Sequence, residues 1–394
     1  MGQWETKAEV LDVSKGQKKL FIGIPAETTY QENRVALVPS SISTLVSHGH
    51  RVMVESGAGI KANFSDNEFS EVGAEIAHSR EEVFKAACLI KVAPPTMEEI
   101  ELLHPNQMLI SPLHLPYLTE DYLLQLKQKR VIALAMEYLQ DRNGSFPVVR
   151  IMSEIAGISS IHTAAELLST TGGGAGLLLG GISGIPPAKV VILGAGVVAE
   201  YATLSALGLG ASVSIFDNDI YKLMRLQNII GRKVFTSVLN PTYLERELVQ
   251  ADVAIGAMHS KLGRTPIVVS EDMVMKMKAG AVIVDVSIDQ GGCFETSEVT
   301  SHEEPTFKKH DVIHYCVPNL SSKVSRTASI AVSNILTPIL LQAGETGSLE
   351  QLFFDHQGLR HGIYTYKGCL TNEYLAERFQ IKYTDLDLLL TANL

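Results

Sequence analysis

Five residues with β-forming character, Lys189-Val-Val-Ile-Leu193, run straight into Gly194-Ala-Gly196-Val-Val-Ala199, and a helix-like apolar pattern follows. The next apolar run, Ala211 to Phe216, is closed by Asp217, 23 residues after Gly194. Strand, glycine turn, helix, strand and acid in that order make one βαβ unit, which in turn demands a parallel sheet. Gly194 permits the tight turn, and Gly196 lets backbone approach a pyrophosphate seated on the helix N-terminus. Ala199 takes the third glycine position, where a small residue lets helix and strand pack closely. Asp217 is placed to accept from ribose hydroxyls and to repel a 2′-phosphate. The combination predicts a dinucleotide cofactor, NAD in preference to NADP. The bland alternative is a glycine turn with no ligand.

The 394 residues amount to about two domains, and 46% apolar with 19% charged residues describes a globular chain able to bury a core. Net charge is −10 and the basic clusters stop at Lys18-Lys19 and Lys308-Lys309, which argues against nucleic acid or an anionic membrane as partner. The four cysteines, Cys88, Cys293, Cys316 and Cys369, form no CxxC pair and join no histidine at ligand spacing. Free thiols in a cytoplasmic protein, and no metal site, are the expectation. We find no 18-residue apolar run free of charge, so no transmembrane helix is expected. The first 17 or so residues are polar and read as an extension rather than a targeting signal.

Two blocks of alternating strands and helices are legible. Strands are expected at Leu20–Ile24, Arg51–Glu55, Cys88–Ala93, Gln107–Ser111 and Val131–Met136, then at Val190–Leu193, Val213–Phe216, Val253–Ala257, Ala281–Val286 and Val312–Tyr315. Helices fit Ser40–His48, Thr119–Lys129, Ser153 to about Ser169, and Ser329–Gln342. The fold class is therefore α/β: two Rossmann-like, doubly wound parallel-sheet domains with a cleft between them. Residues 1–148 plus 326–394 form the substrate domain, discontinuous because the tail is too short to fold alone. Residues 149–325 form the dinucleotide domain. The glycine-rich stretch from Thr170 to Pro187 reads either as a flexible linker or as a packed hinge or cleft wall.

Several motifs, in chain order, carry a likeness. They are Gly23-Ile-Pro-Ala-Glu27, Glu32-Asn-Arg-Val-Ala-Leu37, Gly49-His-Arg-Val-Met-Val-Glu-Ser-Gly-Ala-Gly59, Leu113-His-Leu115 and Met152-Ser-Glu-Ile-Ala-Gly157. Asp285-Val-Ser-Ile-Asp-Gln-Gly-Gly-Cys-Phe-Glu295, Tyr315-Cys-Val-Pro-Asn319 and Arg326-Thr327 complete the set. From about residue 20 to 390 the chain resembles the family of alanine dehydrogenase and the NAD-binding subunit of proton-translocating transhydrogenase. The resemblance implies reversible oxidative deamination of L-alanine to pyruvate and ammonia, with direct hydride transfer to NAD, by a homo-oligomer, typically a hexamer.

Residue by residue, Arg34 matches the family's carboxylate anchor, and a guanidinium suits that task. Its alternative is a surface arginine paired to Glu32. His114 and Asp289 match the two proton-handling residues; the alternatives are a structural histidine and a loop-capping aspartate. The likeness also implies Ser153 near the nicotinamide or ribose, Asn319 and Leu320 near the nicotinamide, and Lys222 near the adenine side. Lys91-Val-Ala-Pro-Pro95 departs from the family's Lys-Val-Lys-Glu-Pro, so Ala93 stands where a lysine contacts substrate. Lys91 shares a strand face with Ala93 and would reach in from roughly 7 Å further along. Ile158 and Ala175 also replace basic family residues. These departures keep two other readings open: an NAD-binding transhydrogenase-like subunit of a membrane assembly, and an NAD-binding regulatory homologue with little turnover.

Overall fold

A computed structural model describes residues 19–391 apart from 30, 116–117, 261–262 and 347. The expected N-terminal extension lies outside the described residues. Fifteen strands form two sheets. The first block supplies β1 (Phe21–Ile24), β2 (Arg51–Glu55), β3 (Glu75–Ala77), β4 (Cys88–Ile90), β5 (Met108–Ser111) and β6 (Ile132–Ala135). The second supplies β7 (Lys189–Leu193), β8 (Ser212–Phe216), β9 (Phe235–Ser237), β10 (Val253–Gly256), β11 (Val282–Asp285), β12 (Thr306–Lys309) and β13 (Val312–Tyr315). The tail adds β14 (Ile363–Tyr366) and β15 (Cys369–Leu370).

The sheet orders are β15-β14-β6-β5-β4-β1-β2-β3 and β12-β13-β11-β10-β7-β8-β9. β1 to β6 pair in parallel, while β14 runs antiparallel to β6, so the tail returns to the first sheet. In the second sheet only β12 is antiparallel. The central strands of both sheets are buried on both faces, which is why they read as continuous apolar runs. On β7, Val190 and Ile192 enter one core and Val191 and Leu193 the other.

Strand order reverses direction of growth beside β1 in the first sheet and beside β7 in the second. In open α/β sheets, ligands collect at the carboxyl ends of strands at such switch points. Arg34 follows β1, Val92 follows β4, Glu137 follows β6, Gly196 follows β7 and Asp289 follows β11, and all five line one cavity. The two sheets thus present their carboxyl ends to a common cleft.

Two long helices join the halves. Pro147–Leu168 begins with proline at its first turn, where a missing N–H costs no bond. It starts six residues before the expected Ser153, and the expected domain boundary at 148/149 falls in its first turn. Gly157 is its contact point with the fingerprint helix Val197–Gly208: a Cβ there would lie 2.5 Å from the Val198 carbonyl oxygen and 2.9 Å from the Ala202 nitrogen. The second connector, Ser325–Thr346, is long and apolar enough to cross a membrane by length and composition, unlike the expectation above. Here it is a core helix. Its Ser329 and Ser333 hydroxyls accept the Val35 and Val38 amides at 2.9 and 3.1 Å.

The glycine-rich stretch is ordered but lines no part of the cleft cavity. It folds back on the end of helix Pro147–Leu168: a Cβ on Gly172 or Gly174 would meet a carbonyl of that helix at 2.3 Å.

Candidate active site

The loop after β1 is pinned from the far side of the cleft. Asn33 donates to the Ser322 hydroxyl at 2.9 Å, and Val35 and Val38 are held by the connector serines just described. Between those anchors, Arg34 enters the cavity, 9% exposed. Its Nε and Nη2 donate to the two Glu32 carboxylate oxygens at 2.7 and 2.5 Å. The Arg34–Glu32 pair expected of a surface arginine is therefore real, but it is buried. The opposite edge of the guanidinium, Nη1, has Met152 Sδ at 3.0 Å and the Ser321 hydroxyl at 3.4 Å. That edge can take a second carboxylate.

Burial raises the cost of charge on Glu32, but Arg34's charge and hydrogen bonds outweigh it and hold the carboxyl below its ordinary range. Burial likewise opposes the Arg34 charge, and Glu32 overcomes it. Glu32 also accepts from Asn319 Nδ2 at 2.8 Å, and the Asn319 backbone amide donates to Asp289 Oδ1 at 2.9 Å. Asn319 manages both bonds from a left-handed backbone (φ 55°), a conformation asparagine tolerates well. One residue therefore joins the arginine of one domain to the carboxylate of the other.

Asp289 sits in the short turn Val286–Gln290, capped by Asp285 through the Ser287 amide at 3.0 Å. Burial pushes Asp289 above its ordinary value, with the Asn319 amide and Arg34 acting in the opposite sense. His114 follows β5 in a left-handed backbone (φ 53°). Burial and the Arg34 charge hold its imidazole below the ordinary histidine value, with Glu32 opposing. It senses the pair electrostatically but does not line the cavity, whose wall at this point is Pro112.

Lys91 is elsewhere. Its ammonium donates to Glu27 at 2.8 Å and Glu99 at 3.1 Å, and the side chain is fully buried. Burial opposes its charge, and the two carboxylates more than restore it. Glu27 also collects the Val92 and Ala93 amides at 2.7 and 3.3 Å. The expected reach of Lys91 into the cleft is not what the structure has: Val92 faces the cavity there, and Lys91 does not. Arg34 is the one arginine or lysine among the described residues of the lining.

The cavity, about 470 Å³, runs from Arg34 to the fingerprint. Ser153, Gly196, Asp289, Asn319 and Leu320 line it. Gly194 (φ 111°) passes under the β10 loop, and a Cβ on it would strike the Ala257 oxygen at 2.4 Å. A Cβ on Gly196 would meet nothing within 4 Å, so backbone there is open to a ligand phosphate. Ala199 is fully buried, as close helix packing requires. Asp217 accepts the Ala195 and Asp219 amides at 2.7 and 2.8 Å, which fixes its carboxylate at the rim of the glycine turn. Lys222, in the first turn of the helix Ile220–Ile230, disfavours protonation of His259, whose imidazole burial already holds low. His259 lines the cavity beside Gly196. The turn, the open backbone and the acid fit a dinucleotide. Among the described residues no group of three or more metal-ligating side chains occurs.

Sequence reasoning missed Glu137, Met152, Ser321 and Gln290, all in the lining. For Glu137 the signal was only its place after β6. Ser321 and Gln290 sat inside or beside quoted motifs.

The match to known proteins follows the same two halves. The N-terminal-domain profile of alanine dehydrogenase/PNT matches residues 23–156, and the C-terminal-domain profile residues 160–373. Alanine dehydrogenase 2 of Staphylococcus aureus (strain USA300) is 40% identical over 368 residues, 93% of this chain and 98% of that one. A solved L-alanine dehydrogenase superposes with a TM-score of 0.84 at 37% identity, covering 91% and 99% of the two chains. A transhydrogenase from Sinorhizobium meliloti shares the fold, with a TM-score of 0.77 at 23% identity over 89% and 99%. The chain belongs to the alanine dehydrogenase/PNT family.

Proposed function

We propose that this chain is an NAD-dependent L-alanine dehydrogenase. The observation that carries the reading is the continuous link Arg34–Glu32–Asn319–Asp289, which puts a carboxylate anchor and an acid/base residue on one cavity with the dinucleotide turn. The Nη1 edge of Arg34, exchanging its contacts with Met152 and Ser321, holds the substrate carboxylate. By the family resemblance His114, which here does not line the cavity, takes the proton from the alanine ammonium, and burial with the Arg34 charge favours the neutral imidazole that can accept it. Asp289, raised by burial, steers and deprotonates the water that attacks the imine carbon, and in reverse orients ammonia. The apolar wall formed by Val92, Val148, Met152, Ala156 and Val332 limits water around the reacting carbon. Bound NAD supplies the hydride acceptor. Gly196 at the helix N-terminus would receive its pyrophosphate, with Gly194 and Ala199 shaping the turn and the helix packing behind it; Asp217 would hold the adenosine ribose, Lys222 the adenine side, and Ser153, Asn319 and Leu320 the nicotinamide end.

The small substrates, the free cysteines and the family suit a cytoplasmic enzyme with no nucleic-acid or membrane partner. We place it in a homo-oligomer, a hexamer by family analogy; Leu178, Ile182 and Ile185 are exposed apolar side chains that self-association would cover. One observation favours a variant of the main reading. With Lys91 tied to Glu27 and Glu99, no lysine among the described residues of the lining polarises the carbonyl, and Ala93 stands where the family has its substrate lysine. A bulkier 2-oxo acid is the second candidate substrate. NADH oxidation with ammonium and pyruvate, beside a panel of larger 2-oxo acids and with NADPH in parallel, separates the cases. Turnover with pyruvate supports alanine. Turnover only with a larger acid keeps the mechanism and changes the substrate. NADH binding without turnover refutes the dehydrogenase reading.

A further inference from the structure

Glu137 lies in the turn Met136–Tyr138 that follows β6, beside the end of β5 from which the Leu113–His114 segment leaves. Its Oε1 accepts the Leu113 amide at 2.7 Å and the His114 amide at 3.4 Å. Its Oε2 is shielded from solvent with no hydrogen-bond partner among the described residues, and the residue lines the same cavity as Arg34 and Asp289. A buried carboxyl used at one oxygen only is a costly way to build a wall. His114 takes a left-handed backbone, which histidine adopts more readily than most residues but which an external tie still steadies. The two facts explain each other. The bonds from Oε1 hold consecutive amides turned to one side, which an extended strand, with its alternating N–H directions, does not offer to one acceptor.

Resting on the dehydrogenase reading, we propose that Glu137 is the positioning residue for His114, acting as a hydrogen-bond acceptor that holds the Leu113–His114 backbone so that the imidazole stays beside the Arg34–Glu32 pair. Burial pushes the Glu137 carboxyl above its ordinary range, with the Leu113 and His114 amides acting in the opposite sense, and what those two amides need is an acceptor oxygen. In this proposal the Glu137 side chain acts through the Leu113–His114 backbone and takes no part in proton transfer.

The test is kinetic. Glu137→Gln keeps an acceptor oxygen and should hold kcat within about threefold of the wild type. Glu137→Met fills the volume without an acceptor and should lower kcat roughly 10²-fold, the scale of a misplaced reacting group, with the pyruvate KM within about threefold because Arg34 is untouched. Glu137→Ala, with NADH affinity and thermal midpoint as checks on folding, repeats the test if the methionine variant is poorly folded. In a His114→Ala background, Glu137→Met should cost nothing further, whereas a merely structural glutamate would still cost there. Equal losses in the glutamine and methionine variants, or additive losses in the double variant, would overturn the assignment while leaving the enzyme reading intact. Wild-type protein that binds NADH but turns over no 2-oxo acid would overturn both.

Discussion

Replacing Arg34 by alanine should separate two roles that the structure gives one side chain. The first is structural. Glu32 has 1% of its side chain exposed and relies on Arg34 for its charge partner. Removing one member of a buried pair costs about 3–5 kcal/mol. Asn319 Nδ2 and the Ser322 hydroxyl still donate to Glu32, so the lower end applies. For domains of this size about 3 kcal/mol corresponds to a thermal midpoint roughly 6–12 °C lower. The second role is binding. Losing a charge-assisted contact worth about 1.5–3 kcal/mol raises the substrate KM about ten- to a hundredfold. The double variant Glu32→Gln/Arg34→Ala removes the stranded carboxylate, so it should regain most of the midpoint and none of the KM.

The pH dependence has a definite sign. In the wild type the Glu32 carboxyl is held low, so its stabilisation is complete above the ordinary carboxylate range and is lost as pH falls through the depressed value. In Arg34→Ala the same buried carboxyl is pushed up, and its penalty is full above that raised value and fades towards the unfolded one. The midpoint gap between wild type and Arg34→Ala should therefore be smaller at pH 5 than at pH 8. Scanning calorimetry and initial-rate kinetics on the three proteins measure both roles. A gap independent of pH, or a double variant no more stable than the single, would refute the argument that Glu32 is stranded.

Other perturbations follow from the same contacts. Lys91→Met strands Glu27 and should lower stability by about 3–5 kcal/mol in denaturant titrations, while kcat/KM of the folded fraction stays within about threefold. A large KM effect would instead make Lys91 a substrate ligand. Gly157→Ala puts a methyl 2.5 Å from the Val198 oxygen, so the fingerprint helix must shift. The strain, about 1–3 kcal/mol, should weaken NADH binding about five- to a hundredfold by fluorescence titration, and unchanged affinity would contradict it. Asp217→Asn leaves one good acceptor for the Ala195 and Asp219 amides and removes the repulsive charge. The NADH-over-NADPH preference should fall at least about tenfold, and an unchanged preference would mean the acid does not select the cofactor.

Much of this was legible because it is local. Arg51–Glu55 and Val312–Tyr315 coincide with the expected strands, the first because Val52 and Val54 alternate with more exposed residues and the second because it is buried on both faces. Short edge strands escaped. β12 carries Lys308 and Lys309, which read as a basic pair because an edge strand needs little apolar content. The start of helix Pro147–Leu168 was read late because Val148 and Val149 serve the cavity and not a regular helical stripe. Lys91 shows the limit of strand periodicity. Alternation assigns it a face, but Glu27, 64 residues away, decides whether the ammonium is free. Glu137 was invisible for a related reason, since it works on backbone amides that carry no sequence signature. The Arg34–Glu32 pairing could be read two residues apart, whereas its burial depends on Ser321, Ser322 and Asn319 from the other end of the chain.

The central claim, that substrate on Arg34 and nicotinamide beyond Asn319 share one cavity and exchange a hydride directly, is tested by incubating the protein with L-alanine deuterated at C2, NAD and ordinary water. The account predicts that the reduced cofactor isolated afterwards carries one deuterium per molecule and that the initial rate depends on the label. Reduced cofactor without deuterium, with the label recovered in the solvent, would contradict it.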